Sequence, residues 1–230
     1  MHHGLIAIVG TGTGIGKTHT TCALATALVA RGLQVRAYKP VESGVIDGFA
    51  EDIQALASVS NALQRGPTEL LLPDPISPHL AARRACATLD LEVVIAGLEA
   101  LRQEVIVLLE LPGGLFSPLT ETALPGDLLA RLRPEATVLV APDRLGVLHD
   151  LGATTRAAKA DGIPLTGIVF SAPALADAST GFNAPEVGKV SALPVLANLP
   201  RQTVAELAKT EEVRALVSKL LGDDAAALEA

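Results

Sequence analysis

Tryptophan is absent from this 230-residue chain, which has one tyrosine, four phenylalanines and one methionine. A core with so few rings must be filled mainly by Leu, Val, Ile and Ala, a balance that suits buried parallel strands covered by helices. Hydrophobic residues make up 49% of the sequence, so a sizeable core is available. No apolar run has the length of a membrane span; the longest, VIVLLEL (105–111), is strand-length. No basic segment precedes a signal-type apolar stretch, so no secretion signal is read and a cytoplasmic location is expected. Basic runs are also missing, and the net charge of -7 argues against nucleic acid as a partner. Cysteine is scarce. Cys22 and Cys86 lie far apart without metal-ligand or redox spacing, and two buried free thiols in a reducing compartment are expected. No convincing Ser-His-Asp or Cys-His arrangement is visible, so a covalent nucleophile is not required.

The sequence does contain a regular alternation of strands and helices. Strands are expected at LIAIVG (5–10), QVRAYK (34–39), VIVLLEL (105–111), ATVLVAP (136–142) and 165–171, with a last short one in LPVLANLP (193–200). Helices are expected at 18–30, ended by Gly32, and at 52–59, 91–103, 148–160 and 203–221. The proline-rich segment 64–80 reads as an excursion. Alternation of this kind predicts one α/β domain over residues 1–222, with a mostly parallel sheet, helices on both faces and a frayed tail at 223–230. In such sheets ligands sit at the carboxyl ends of strands.

The loop after the first strand reads GTGTGIGKT, Gly10 to Thr18. A dinucleotide fingerprint fails in both frames: from Gly10 the third glycine falls on Ile15, and from Gly12 it falls on Lys17. A phosphate loop fits better, although its first glycine stands one residue early. Gly16 lets the backbone approach a phosphate, Lys17 adds a positive charge and Thr18 offers a hydroxyl to Mg²⁺. The helix that follows presents free N–H groups and a positive dipole end. The competing reading is a glycine-rich turn with a chance lysine.

Further candidates lie just after other strands. Lys39, in YKPVESG (38–44), is either a solvated lysine or a charge aimed at the same crevice, and Ser43-Gly44 is a short polar turn. Asp52 stands at a helix start, where a capping role is the simpler expectation. Glu110 ends an otherwise apolar strand and needs a partner, because an unpaired buried charge is costly. With Thr18 and Asp52 it would form an oxygen-rich Mg²⁺ site. Gly113, in the following PGG, would let the backbone approach the phosphates. His79 is expected to be a structural or interface residue rather than a catalytic base, and His19 to serve packing or a ribose contact.

Taken together these segments resemble the dethiobiotin synthetase family. The nine-residue loop Gly10–Thr18 matches its GT-x-T-x-[VI]-GKT, and YKPVESG matches its YKPV-x-SG. PISPH (75–79), ELPGGLFSPL (110–119), RLGVLHDLGATT (144–155) and LANLP (196–200) follow in the family's order, the last two loosely. The resemblance implies a single-domain P-loop NTPase-like fold and an ATP-dependent, Mg²⁺-requiring ligase that closes a cyclic urea from 7,8-diaminononanoate and CO₂. It implies catalytic roles for Thr13, Lys17, Lys39 and Ser43, and metal contacts from Thr18, Asp52 and Glu110. Nucleotide contacts would come from Gly14, Ile15, Gly16, Lys17, Thr18 and His19, with Asp52, Glu110, Gly113, Ser171, Leu199 and Pro200. Substrate would meet Ser43 and, across a homodimer interface, Gly146, Val147 and His149 of the second subunit.

Four departures from the family pattern stand out. Gly14 replaces an acid found in some members. Leu111-Pro112 replaces Gly-Ala after Glu110, and His149-Asp150 replaces Asn-His. Ser171 stands where an Asn-Asp pair often reads the base, so nucleotide preference is open. Two rivals remain. A ParA/MinD-type ATPase would carry a second lysine where this chain has Gly12, and would favour an amphipathic carboxyl end where LVSKLLGDDAAALEA is acidic. A non-catalytic nucleotide-binding relative is the other. Cobyrinate-type amidoligases share the fold but usually carry a further domain.

Overall fold

The computed structural model describes residues 3–222; the tail at 223–230 lies outside them. Six strands form the main sheet: β1 (Gly4–Gly10), β2 (Val35–Tyr38), β5 (Ile106–Glu110), β6 (Ala136–Pro142), β7 (Gly167–Ser171) and β8 (Val195–Leu199). Their spatial order is β2-β5-β1-β6-β7-β8, and every pairing is parallel. The chain therefore changes direction of travel across the sheet at β1, which puts the loop after β1 at a crevice between strands.

Alternation along the strands builds two cores. On β1, Leu5, Ala7 and Val9 face one layer, while Ile6 and Ile8 face the other. The second layer is covered by α1 (Lys17–Ala30) and α8 (Glu211–Leu221), through residues such as Leu24, Leu28, Val213 and Leu216. The first is covered by α4 (Leu91–Leu101), α5 (Pro125–Leu132) and α6 (Val147–Ala160), through Leu98, Leu129 and Leu151. Burying both faces explains why these strands read as continuous apolar runs.

Four features differ from the sequence reading. The closing helix is two helices, α7 (Val204–Leu207) and α8, because Thr210 accepts a hydrogen bond from the Val213 N–H at 3.3 Å and starts a new helix. Helix α5 opens on Pro125 and spans eight residues, too short for its periodicity to stand out. The 64–80 excursion contains β4 (Leu70–Leu72), which pairs in parallel with β3 (Val41–Ser43) as a small second sheet. It then leads into α3 (Pro78–Arg84), while α2 (Glu51–Ser58) sits beside β2. Only Cys22 is a buried thiol; Cys86 is exposed, since it lies in the turn that ends α3.

Candidate active site

The loop Gly10–Thr18 joins β1 to α1 and forms the wall between two cavities. Thr13, Gly14, Ile15, Gly16 and His19 line both. The first cavity, of about 620 Å³, also receives Lys17, Thr18, Lys39, Ser43, Asp52 and Glu110. The second, of about 780 Å³, is closed by Arg144, Ser171, Pro200 and Gln202 at the ends of β6, β7 and β8. Gly16 precedes α1 with φ +92°, and a Cβ there would lie 2.2 Å from the Ser171 hydroxyl. Both constraints demand glycine. No side chain caps α1 and its first turn has no acid, so its amino end is left for an anion.

Charge in the first cavity is closely organised. The Lys17 ammonium donates to the Gly12 and Gly113 carbonyls, both at 2.7 Å. Burial lowers its pKa to about 8, against the pull of Glu110. Lys39 is 7% exposed and is not a solvated lysine. Its ammonium bridges two carboxylates, pairing with Asp52 and standing 3.2 Å from Glu110 Oε1. Burial alone would lower the Lys39 pKa, but Glu110 and Asp52 outweigh it and raise the value. Burial would raise Asp52, and Lys39 reverses this and holds the carboxyl below its usual range. Glu110, fully buried, is pushed up by desolvation although Lys39 opposes the shift. Thr18 Oγ1 donates to Glu110 Oε1 at 2.9 Å. Asp52 and Glu110 thus hold one cation between them, the Lys39 ammonium, and Thr18 is bonded to Glu110 beside it.

Comparison with known proteins follows this geometry. A family model described as an AAA domain matches residues 5–208. The ATP-dependent dethiobiotin synthetase BioD of Anaeromyxobacter sp. (strain Fw109-5) is 36% identical over 222 residues, covering 94% of this chain and 96% of its own. The synthetase of the same name from Nitrosospira multiformis is 40% identical over 165 residues, covering 70% and 73%.

The chain belongs to the dethiobiotin synthetase family.

Solved structures extend the likeness at the level of fold alone. The septum site-determining protein MinD of Pyrococcus horikoshii OT3, complexed with Mg-ADP, superposes with a TM-score of 0.59 at 18% identity, covering 98% of both chains. A ParA family ATPase of Chlorobium tepidum gives 0.58 at 15% identity, covering 96% of this chain and 98% of its own. The fold is that of P-loop NTPases, and family membership makes this chain an ATP-dependent ligase of biotin synthesis.

Within this ligase most of the sequence-derived positions meet in one place. Thr13, Lys17, Thr18, Lys39, Ser43, Asp52, Glu110 and Gly113 share the first cavity, and the Ser43 hydroxyl is sequestered there without a hydrogen-bond partner among the described residues. Ser171 and Pro200 meet in the second cavity. Leu199 does not join them. Its side chain is packed in the core, and only its carbonyl contributes, accepting from the Ala172 N–H at 3.0 Å. Asp52 is not a cap, since the N-cap of α2 is Ala50. Gly146, Val147 and His149 line neither cavity of the single chain. They begin α6, whose amino end, like that of α1, has no side-chain cap.

Two functional residues escaped the sequence reading. Thr21, one turn beyond Thr18 on α1, has its hydroxyl 2.9 Å from the Lys17 carbonyl and 3.2 Å from Glu110 Oε2, so the helix sets a hydroxyl against each oxygen of that carboxylate. The i, i+3 spacing behind the loop was the available signal. Glu42, on β3, is 8% exposed and lines the first cavity. It had no signal beyond lying inside YKPVESG.

Proposed function

We propose that this ligase carboxylates 7,8-diaminononanoate and closes the ureido ring of dethiobiotin, using ATP and releasing ADP and phosphate. The observation that carries this reading is the meeting of the nine-residue loop with Lys39, Ser43 and Glu110 in one cavity, in a chain related to named dethiobiotin synthetases over most of its length. The nucleoside would lie in the second cavity and its phosphates would cross the loop into the first.

In this scheme one amine attacks CO₂ and loses a proton, giving a carbamate. A carbamate oxygen attacks the γ-phosphorus as the bond to the leaving β-phosphate oxygen breaks. The second amine then attacks the carbonyl carbon of the mixed anhydride, and phosphate leaves as the ring closes. Nothing here needs a protein nucleophile. It needs alignment and charge stabilisation, which Lys17, Lys39 and the amino end of α1 are suited to provide. Thr13 and Ser43 would orient the diamine and the carbamate.

Thr18, Asp52 and Glu110 fit Mg²⁺: the two carboxylates already hold an ammonium between them, Thr18 is bonded to one of them, and all three offer the hard oxygen donors this ion prefers. Among the described residues no three acidic, histidine or cysteine side chains gather into a cage, so phosphate and water would complete the shell. When bound, the ion would neutralise charge on the phosphate oxygens. A second copy of the chain would complete the substrate site by bringing Gly146, Val147 and His149 to the carboxylate of the diamine. The exposed Leu145 and Phe182, 76% and 72% accessible, support a covered surface at that end of α6.

The test is direct. Purified protein supplied with diaminononanoate, bicarbonate, Mg²⁺ and ATP releases phosphate and forms a cyclic urea, and repeating the assay with CTP and GTP reads the base preference left open by Ser171. Phosphate release independent of the diamine would instead support a ParA/MinD-type ATPase, and no release a non-catalytic relative.

A further inference from the structure

Asp52 reaches the cavity from the first turn of α2, a helix of eight residues whose N-cap, Ala50, has no side chain able to cap it. Its amino end is nevertheless satisfied. Glu42 Oε1 accepts the Asp52 N–H at 3.0 Å, and Glu42 Oε2 accepts the Ile53 N–H at 2.8 Å. Glu42 makes no ion pair among the described residues, and its partner is the helix terminus itself. A carboxylate shielded from water and bonded by two main-chain N–H groups at a positive dipole end is a strong, directional fastening.

We propose that Glu42 is a positioning residue for the metal site: it clamps the main chain of Asp52 and so fixes where that carboxylate stands. Ser43, which faces the same cavity, is the next residue on β3. One side chain therefore sets the distance between the hydroxyl that would hold the diamine and the carboxylate that would hold the cation. With Glu42 removed, α2 loses its cap and Asp52 is held only through its side chain by Lys39. The inference rests on the reading of Asp52 as a metal ligand.

The experiment measures Mn²⁺ binding in the presence of ADP by electron paramagnetic resonance on the full chain, with ADP affinity in EDTA measured separately. Glu42→Ala is expected to weaken Mn²⁺ binding by about tenfold or more, the range seen when groups that orient metal ligands are lost. ADP affinity without metal should stay near wild type. Glu42→Gln, which keeps one acceptor oxygen, should recover part of the loss. Asp52→Asn is the control. If Asp52→Asn leaves Mn²⁺ binding intact, the metal-site reading itself fails. If Asp52→Asn weakens binding while Glu42→Gln and a folded Glu42→Ala match wild type, the positioning role is overturned. Should Glu42→Ala not fold, Glu42→Gln alone decides: reduced Mn²⁺ affinity with unchanged metal-free ADP affinity supports the clamp, and no change refutes it.

Discussion

Removing the Lys39 ammonium takes away the one cation paired directly with Asp52 and Glu110 among the described residues, leaving only the more distant pull of Lys17. Lys39→Ala is therefore expected to do two things. Turnover should fall by at least about a hundredfold, the usual cost of losing a stabilising donor at a reacting centre. The thermal midpoint should also fall, because a buried pair broken on one side leaves uncompensated charge. Added Mg²⁺ should recover part of the stability but none of the activity; thermal melts with and without the ion check this. A variant active near the wild-type rate would return Lys39 to a structural role. Cys22, 3% exposed on α1, behaves differently. Burial pushes its thiol up to about 12, with the Glu110 and Asp52 charges adding. The unfolded thiol ionises near about 8.5, so the native state binds this proton more tightly and the group's contribution to stability declines as pH rises above that value. A thiol reagent at pH 8 should modify Cys86 in the native protein and reach Cys22 only after unfolding. Two fast-reacting thiols would contradict the packing around α1.

At the scale of elements, helix endings separate what could be read from what could not. Helices α1 and α6 end on Gly32 and Gly162, both at positive φ, with Leu33 N–H bonding Leu28 O and Ile163 N–H bonding Ala158 O. Glycine after a periodic run is a legible stop. Helix α3 ends the same way, with Ala87 N–H bonding Ala82 O, but its left-handed residue is Cys86 at φ 50°. No glycine marks it, so α3, which starts at the end of the 64–80 excursion, carries no legible stop. Cys86→Gly should stabilise the protein by about 1 kcal/mol, by removing a side chain from a conformation that disfavours one. Chemical denaturation measures it, and an unchanged or lower midpoint would show that the turn is not strained. The same distinction holds in the site. The Gly10–Thr18 loop is legible because its motif is contiguous and its residue types are fixed by phosphate chemistry. Glu42 and Thr21 are not: Thr21 meets a carboxylate 89 residues away, and Glu42 bonds main-chain N–H groups ten and eleven residues on, which no residue type marks. The three-residue strands β3 and β4 are too short to carry any period.

Across the whole molecule, every pairing in the main sheet is parallel, and β1 and β2, consecutive along the chain in that sheet, do not touch. Strand β5 lies between them, pairing Gly4 with Ile106 on one side and Val35 with Ile106 on the other. The first hundred residues thus hold two strands of the main sheet with no main-sheet partner, beside the small β3–β4 pair. A fragment ending before β5 should show no cooperative unfolding transition by circular dichroism in urea, whereas the full chain should. A cooperative fragment would mean that the amino-terminal half stabilises itself through α1 and the β3–β4 pair. During synthesis the same layout has a consequence in time. The phosphate loop leaves the ribosome well before its partners: Glu110, which Thr18 holds, and the Gly113 carbonyl, which Lys17 holds, emerge nearly a hundred residues later. Parallel pairing of this range is slow to close. Nucleotide therefore cannot act as an early folding template for this chain, and the growing amino-terminal half must be kept from aggregating until β5 arrives.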